Sequence, residues 1–392
     1  MKNGLSRIIM ILFACVFPLA KLGAETGFYR ITTPTTSSVN VVEITGIPFL
    51  VWTEEHHVLG QTNRVEFAFD IDGRWIGLTN RIINGTVQGV PFMHYRPPLP
   101  EDMVLVGTQP FLMGDSLDEG SIDERPVRWV STLPVFVAIT PVTTDQMRDT
   151  LQWAFDQGHV EVNSTGAWNI GGSPRKLVDL TFPSSTLVFS NDLFAVRDGF
   201  AAKPVIDITW YGALAYTHYR NLIENLPSGI DLTNWTTRLL AGGYRLPTEA
   251  EWENAARGIG SPDRFPWPST STNLVEDING NLANYWNSGD AHESANHLYL
   301  APVGDIGPTN SIGLRDFSGN VYEWCLDWYA YGHYTNNIYP TARPEGPTNG
   351  IQRVIRGGSW ADTPDLLRVS HRIGLHPHAA LPTVGFRVVR GF

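Results

Sequence analysis

The segment GYRLPTEAEWENAARG, Gly243 to Gly258, spells out a short helix with both of its ends. Thr248 offers a side-chain oxygen to the first unpaired amides, Glu251 stands three residues on to return the bond, and Gly258 stops the turn. Between them, EAEWE sets Trp252 among carboxylates expected to be solvated. An indole at such a place is read as a core anchor rather than a ligand contact, because aromatic side chains carry the largest apolar area. Arg245, just upstream, is read as a structural charge bonded to loop carbonyls, and Arg356 and Arg387 likewise.

Working outward, FPW (Phe265 to Trp267), LRDFSGNVYEWCLDWY (Leu314 to Tyr329), RVIRGGSW (Arg353 to Trp360) and VGFRVVR (Val384 to Arg390) follow this helix. FLMGD (Phe111 to Asp115) and DERPVRWV (Asp123 to Val130) precede it. In this order the blocks resemble the formylglycine-generating enzyme family, the sulfatase-modifying factors. The resemblance covers about Leu99 to Phe392. It implies a compact, low-regularity α+β domain related to the C-type lectin fold, with many loops pinned by Trp, Tyr and Arg. A fold alone carries no activity.

The resemblance also implies sites. In DFSGNVYE, Asp316 and Glu323 stand seven residues apart around a glycine turn, with the carbonyls of Gly319 and Val321 between them. Two carboxylates and two carbonyls suit a hard cation, and the matching family positions bind calcium. A second family calcium site begins at Asn284-Tyr285, with Asp290 and Glu293 as candidates for its acidic ligand. The catalytic members carry two cysteines three and eight residues after the serine of the GGS segment. Those thiolates hold copper(I) and oxidise a substrate cysteine to formylglycine. Here the serine is Ser359, and the two positions are Asp362 and Leu367. A carboxylate and an alkyl chain replace neither soft ligand nor thiol exchange. Copper and catalytic residues are therefore not expected. Family disulfide positions correspond to Thr217 with Val388 and Ala256 with Arg372, so both halves of each pair are gone together. Cys325 is read as a free buried thiol.

The function expected is that of an exported, non-oxidase member whose concave face binds a small ligand, glycan or protein. That face is assigned to Ser359, Trp360, Asp362, Asp365, Arg368, His371 and Arg372. The alternative is an enzyme, either an atypical formylglycine-generating oxidase and sulfatase activator or one of unrelated chemistry on the same fold. His376-Pro-His378 offers two imidazoles, but such a pair in a loop is read as exposed and unligated. His56-His57 has no partner in view, and no serine elbow, P-loop or dinucleotide fingerprint occurs.

Composition agrees with a loop-rich globular protein. Of the 392 residues 17% are charged, while Gly and Pro number 37 and 27. The formal charge of −11 argues against nucleic acid and anionic membrane as partners. Residues 1–24 read as a secretory signal: Lys2 and Arg7, an apolar run from Ile8 to Ala20 too short to span a bilayer, and Gly23-Ala24 before the cut. The reading is of an exported protein, not an integral membrane protein. Lipid anchoring at Cys15 is the alternative, with Leu12 and Ala14 for it and Phe13 against it. Residues 25–98 read as a small β-rich module, with VNVVEITG, RVEFAFDIDGRWIGLTNRIING and GVPFMHY as strands and a hairpin at Asp72-Gly73. RPPLP, Arg96 to Pro100, reads as the connector to the domain of residues 99–392. Two more helices are predicted there, from Thr143 to Gly158 and over WYGALAYTHYRNLIENL.

Overall fold

The computed structural model describes the strands Arg30–Thr32, Ser38–Ile44 and Ile47–Thr53, and residues 102–391 apart from 108, 240, 259–262, 269–276, 294–298, 335–340 and 343–345. The chain divides into two compact units, Met1–Pro100 with Phe392, and Glu101–Gly391. In the first, the three strands form an antiparallel sheet with Ser38–Ile44 in the middle. The signal segment and the Asp72-Gly73 hairpin lie outside the described residues.

Among the described residues the second unit holds three α-helices, each started by a threonine. Helix α1, Thr144–Asp156, is capped by Thr143, which exchanges bonds with Gln146. Helix α2, Trp210–Ile223, is capped by Thr209 and is buried along most of its length. Helix α3, Glu249–Arg257, has the reciprocal Thr248–Glu251 box and ends on Gly258 at φ 65°. That left-handed φ is cheap only for glycine.

Two four-stranded sheets organise the unit. One runs Gly243–Arg245, Val389–Gly391, Val135–Ala138, Met103–Val106, all antiparallel. The other runs Arg372–Leu375, Arg353–Arg356, Tyr322–Trp328, Val384–Gly385, with its last pair parallel. The core packs α2 against these sheets through Trp210, Tyr216, Trp324 and Phe386, all essentially sealed from water. Indoles also tie loops to strands. Trp210 donates to the Cys325 carbonyl at 2.9 Å, and Trp324 donates to that of Ile208 at 3.2 Å. Long irregular segments thus hold their backbone groups by side-chain bonds instead of helix ladders.

Trp252 is fully buried, as its place in the sequence predicts. The carboxylates around it are not solvated. Glu249, Glu251 and Glu253 are all buried, so the expectation for this face is corrected. The cause is a set of arginines facing the helix, described next.

Candidate functional site

Helix α3 meets the second sheet through charge. Across that sheet Glu323, Arg356 and Arg372 stand opposite one another in adjacent strands. Glu249 and Glu253, one helical turn apart, lie on the side of α3 facing this row. Glu249 takes a bidentate pair from Arg372 at 2.6 and 2.8 Å. Glu253 meets Arg356, and also Arg257 at 2.9 Å. Glu323 accepts the Trp252 indole at 2.7 Å and both forks of Arg387 at 2.6 and 2.7 Å. Glu251 is gripped by Arg245 at 2.6 and 2.7 Å. Arginine suits these places because its planar fork matches two carboxylate oxygens. Burial alone raises the Glu249 pKa, but Arg372 and Arg356 outweigh it and hold the group down at about 2. Arg356 and Arg387 do bond loop carbonyls, as expected: Ser370 and Val369 for the first, Ala138 and Arg315 for the second.

The GGSW corner is built on this lattice. Gly358 sits at φ 71°, and a β-carbon there would meet Leu367 Cδ1 at 2.8 Å. Gly319, at φ 82°, would meet the Asn284 carbonyl at 2.2 Å and also Leu367. Leu367 fills the space between, fully buried against Phe265, Ile278 and Tyr285. Asp362 turns back on Ser359, accepting from its amide at 3.0 Å and from its hydroxyl. The Tyr322 hydroxyl also bonds Asp362, and burial together with that carboxylate raises the phenol pKa far above normal.

The seven residues expected to form an open face are not all open. Arg368 is buried and bidentate to Glu124 at 2.7 and 2.9 Å. Arg372 is buried on Glu249, and Ser359 is sealed beneath Asp362. His371 is buried with Nδ1 3.7 Å from Glu124, while its Nε2 has no partner among the described residues. These four belong to the interior: Arg368 and Arg372 are paired with carboxylates far away in the sequence, His371 packs beside Glu124, and Ser359 is held by Asp362. What remains outward is Asp365, exposed, with Trp360 and Asp362 half-buried. Trp286, 56% exposed and tied by its amide to the Asp362 carbonyl at 2.9 Å, joins them, as does Tyr299 against Trp360. Trp286 is missed by sequence reading because it lies outside every quoted block.

Residues 90–392 match the model of the sulfatase-modifying factor enzyme 1-like domain. The chain belongs to that family. It is 32% identical to the serine/threonine-protein kinase pkn1 of Chlamydia caviae over 75% of this chain, but spans only 38% of that protein's length. It is 29% identical to the formylglycine-generating enzyme of Streptomyces coelicolor over 74% of this chain and 90% of the relative. It is also 29% identical to the mouse protein named inactive C-alpha-formylglycine-generating enzyme 2, over 71% and 82%. Among solved structures, PvdO from Pseudomonas aeruginosa superposes with a TM-score of 0.52 at 22% identity, covering 74% of this chain and 94% of its own. The fold is thus the α+β fold expected.

The sulfatase-modifying factor family implies calcium, and the side chains test that. Asp316 is half-buried, accepts from the Gly304 amide at 2.7 Å, and forms no salt bridge among the described residues. Burial first, and Glu323 after it, raise its pKa to about 6. With Asn284 and Asn320 it lines a small cavity of about 20 Å³. A half-buried carboxylate with no salt bridge, beside a cavity that Asn284, Asn320 and also Arg315 line, leaves oxygens for a hard ion. Glu323 fits less well, since Arg387 already balances its charge. At the other expected site the Asn284 amide donates to the Tyr299 carbonyl and to Asn320. The Tyr285 carbonyl accepts from Ser288, while Asp290 and Glu293 accept within their own turn, from His292 and Gly289. Cys325 is a free thiol, fully buried, and burial pushes its pKa well up.

Proposed function

We propose that this chain is a non-oxidase member of the sulfatase-modifying factor family that binds a ligand or partner on an outward face. One observation carries the reading. The two positions that resemble the family's thiolates are Leu367, packed in an apolar cluster, and Asp362, locked onto Ser359. Neither can serve as a soft metal ligand, and the thiol of Cys325 is sealed and protonated. The family includes a relative named inactive, which supports the reading. The binding face is Trp360, Trp286, Asp362 and Asp365, an aromatic and acidic surface suited to a glycan or to a cationic group on a protein. Export follows the reading of residues 1–24, and among the described residues no helix is long and apolar enough to cross a membrane.

Copper provides the test. A Cys15→Ser chain, which leaves Cys325 alone, is titrated against a chromophoric Cu(I) complex. No copper should transfer to the folded protein. Uptake of one equivalent with native spectra intact would sink the proposal.

Calcium is proposed as a structural ion at Asp316, with the carbonyls of Gly319 and Val321 and a remaining lone pair on Glu323. A ligand of the native state alone raises its stability by mass action. EDTA should therefore lower the melting temperature and added Ca²⁺ restore it, with Asp316→Asn insensitive to both. An unchanged melting curve with no calcium in the protein by elemental analysis removes the ion from the account.

A further inference from the structure

We propose that Asn163 is an acceptor for N-linked glycosylation of the folded chain, presented by the turn between the strands Val160–Asn163 and Gly166–Asn169. The proposal rests on the export read from residues 1–24, because such a transfer takes place on the far side of the membrane.

Three Asn-x-Ser/Thr triplets occur in the chain, at Asn84, Asn163 and Asn234. Only Asn163 has an acid two residues before it, Glu161, where the others have Ile82 and Leu232. A triplet alone is a weak signal, so its presentation has to decide. Asn84 lies outside the described residues.

Glu161, Asn163, Ser164 and Thr165 are all exposed. Asn163 pairs with Gly166 across a two-residue turn. The Thr165 amide donates to the Asn163 side chain at 2.8 Å, and the Thr165 hydroxyl donates at 2.6 Å. A backbone N–H can only donate, so the atom it meets is Oδ1 and Nδ2 is turned away. Nδ2 forms no hydrogen bond among the described residues. The Trp168 indole donates to Thr165 Oγ1 at 3.2 Å, which commits the hydroxyl proton to Asn163. Alternation along the strand puts Glu161 on the same face as Asn163, a charge for a transferase to grip beside the amide.

Asn234 is exposed too, but its Nδ2 donates to Asp231 Oδ2 at 3.0 Å. Trp235, inside that triplet, is buried with its indole on the Ser173 carbonyl at 3.0 Å. Thr236 pairs with Asp231 in a strand. Of these two triplets the fold offers one and closes the other.

In the transfer, Asn163 Nδ2 forms a bond to the anomeric carbon of a polyprenyl-pyrophosphate-linked glycan. The bond from that carbon to the pyrophosphate oxygen breaks, and the leaving group keeps the electron pair. One amide proton passes to a base of the transferase, and nothing is oxidised or reduced.

The experiment incubates the folded full chain with a detergent-solubilised oligosaccharide transferase that accepts Asp/Glu-x-Asn-x-Ser/Thr, together with its lipid-linked glycan. An unstructured Asp-x-Asn-x-Thr peptide establishes that the transferase is active, and glycopeptide mass spectrometry maps the product. One glycan should appear on Asn163, and it should be lost in Asn163→Gln and in Thr165→Val. Glu161→Gln should slow the transfer by about tenfold, as the loss of one charge-assisted bond implies. Asn234→Gln should change nothing, and circular dichroism of every variant should stay native. A chain left unmodified by the active transferase, or a glycan on Asn234, overturns the site. Export is scored separately, by whether residues 1–24 are missing from the chain recovered from cells, so its failure is distinct from failure of the acceptor.

Discussion

Asp207 is a buried carboxylate with one oxygen bonded to the Ser184 hydroxyl at 2.9 Å and the other without a partner among the described residues. Its backbone is left-handed, at φ 56°. Burial raises its pKa from 3.8 to about 6. A raised carboxylate stabilises the fold while it is neutral. That contribution is whole below pH 3.8 and is lost as pH rises through about 6. Asparagine keeps the shape, tolerates the left-handed backbone, and stays neutral. Asp207→Asn should therefore gain on the order of 2 kcal/mol over wild type at pH 8 and nothing at pH 4, by denaturant midpoints. Equal midpoints at pH 8 would mean that the charge is met by a partner. Leu367 makes the opposite point at the same scale. Its identity is set by the space that two positive-φ glycines leave, which no single position in the sequence shows.

Helix α3 is the element on which the charges converge. Arg356 meets Glu253 and three carbonyls, all out of water. Removing one partner of such a pair strands the other, which costs roughly 3–5 kcal/mol. Arg356→Met should lose that much by chemical denaturation, and Arg356→Lys should recover little, because an ammonium cannot reproduce the fork. A loss under about 1 kcal/mol would show that the lattice is peripheral to stability. Glu249 gives the lattice its acid limit. Its depressed pKa means stability present above 4.5 and lost as pH falls through about 2. At this scale the sequence was most legible and most misleading. Caps, a closing glycine and a buried Trp252 could be read in Gly243–Gly258 because they depend on neighbours in the chain. The fates of Glu249 and Glu253 depend on Arg372 and Arg356, 123 and 103 residues away, and so could not be read, whereas the partner of Glu251, Arg245, lies six residues before it in the same segment. The same distance hid the burial of Arg368, whose partner Glu124 lies 244 residues before it.

For the whole molecule, motif order was enough for the fold but not for the surface. The blocks resembling the family fell on the strands and turns that form the second unit, from Tyr322–Trp328 to Val384–Gly385. The open face could not be read from the same blocks, since their polar residues mostly turn inward. What stays outside is a narrow strip with Trp360 and Asp365, and the Asp362–Leu367 corner beneath it is closed. On the proposed reading, a corner that holds Asp362 and Leu367 in place of two thiolates does not oxidise thiols. The most direct test incubates the purified chain with Cu(I), oxygen and a Cys-x-Pro-x-Arg peptide, and reads the peptide by mass spectrometry. The peptide mass should remain unchanged, as in a no-protein control. Formation of the aldehyde above that control, lost in Cys325→Ser, would contradict the account and mark the chain as an oxidase of a different kind.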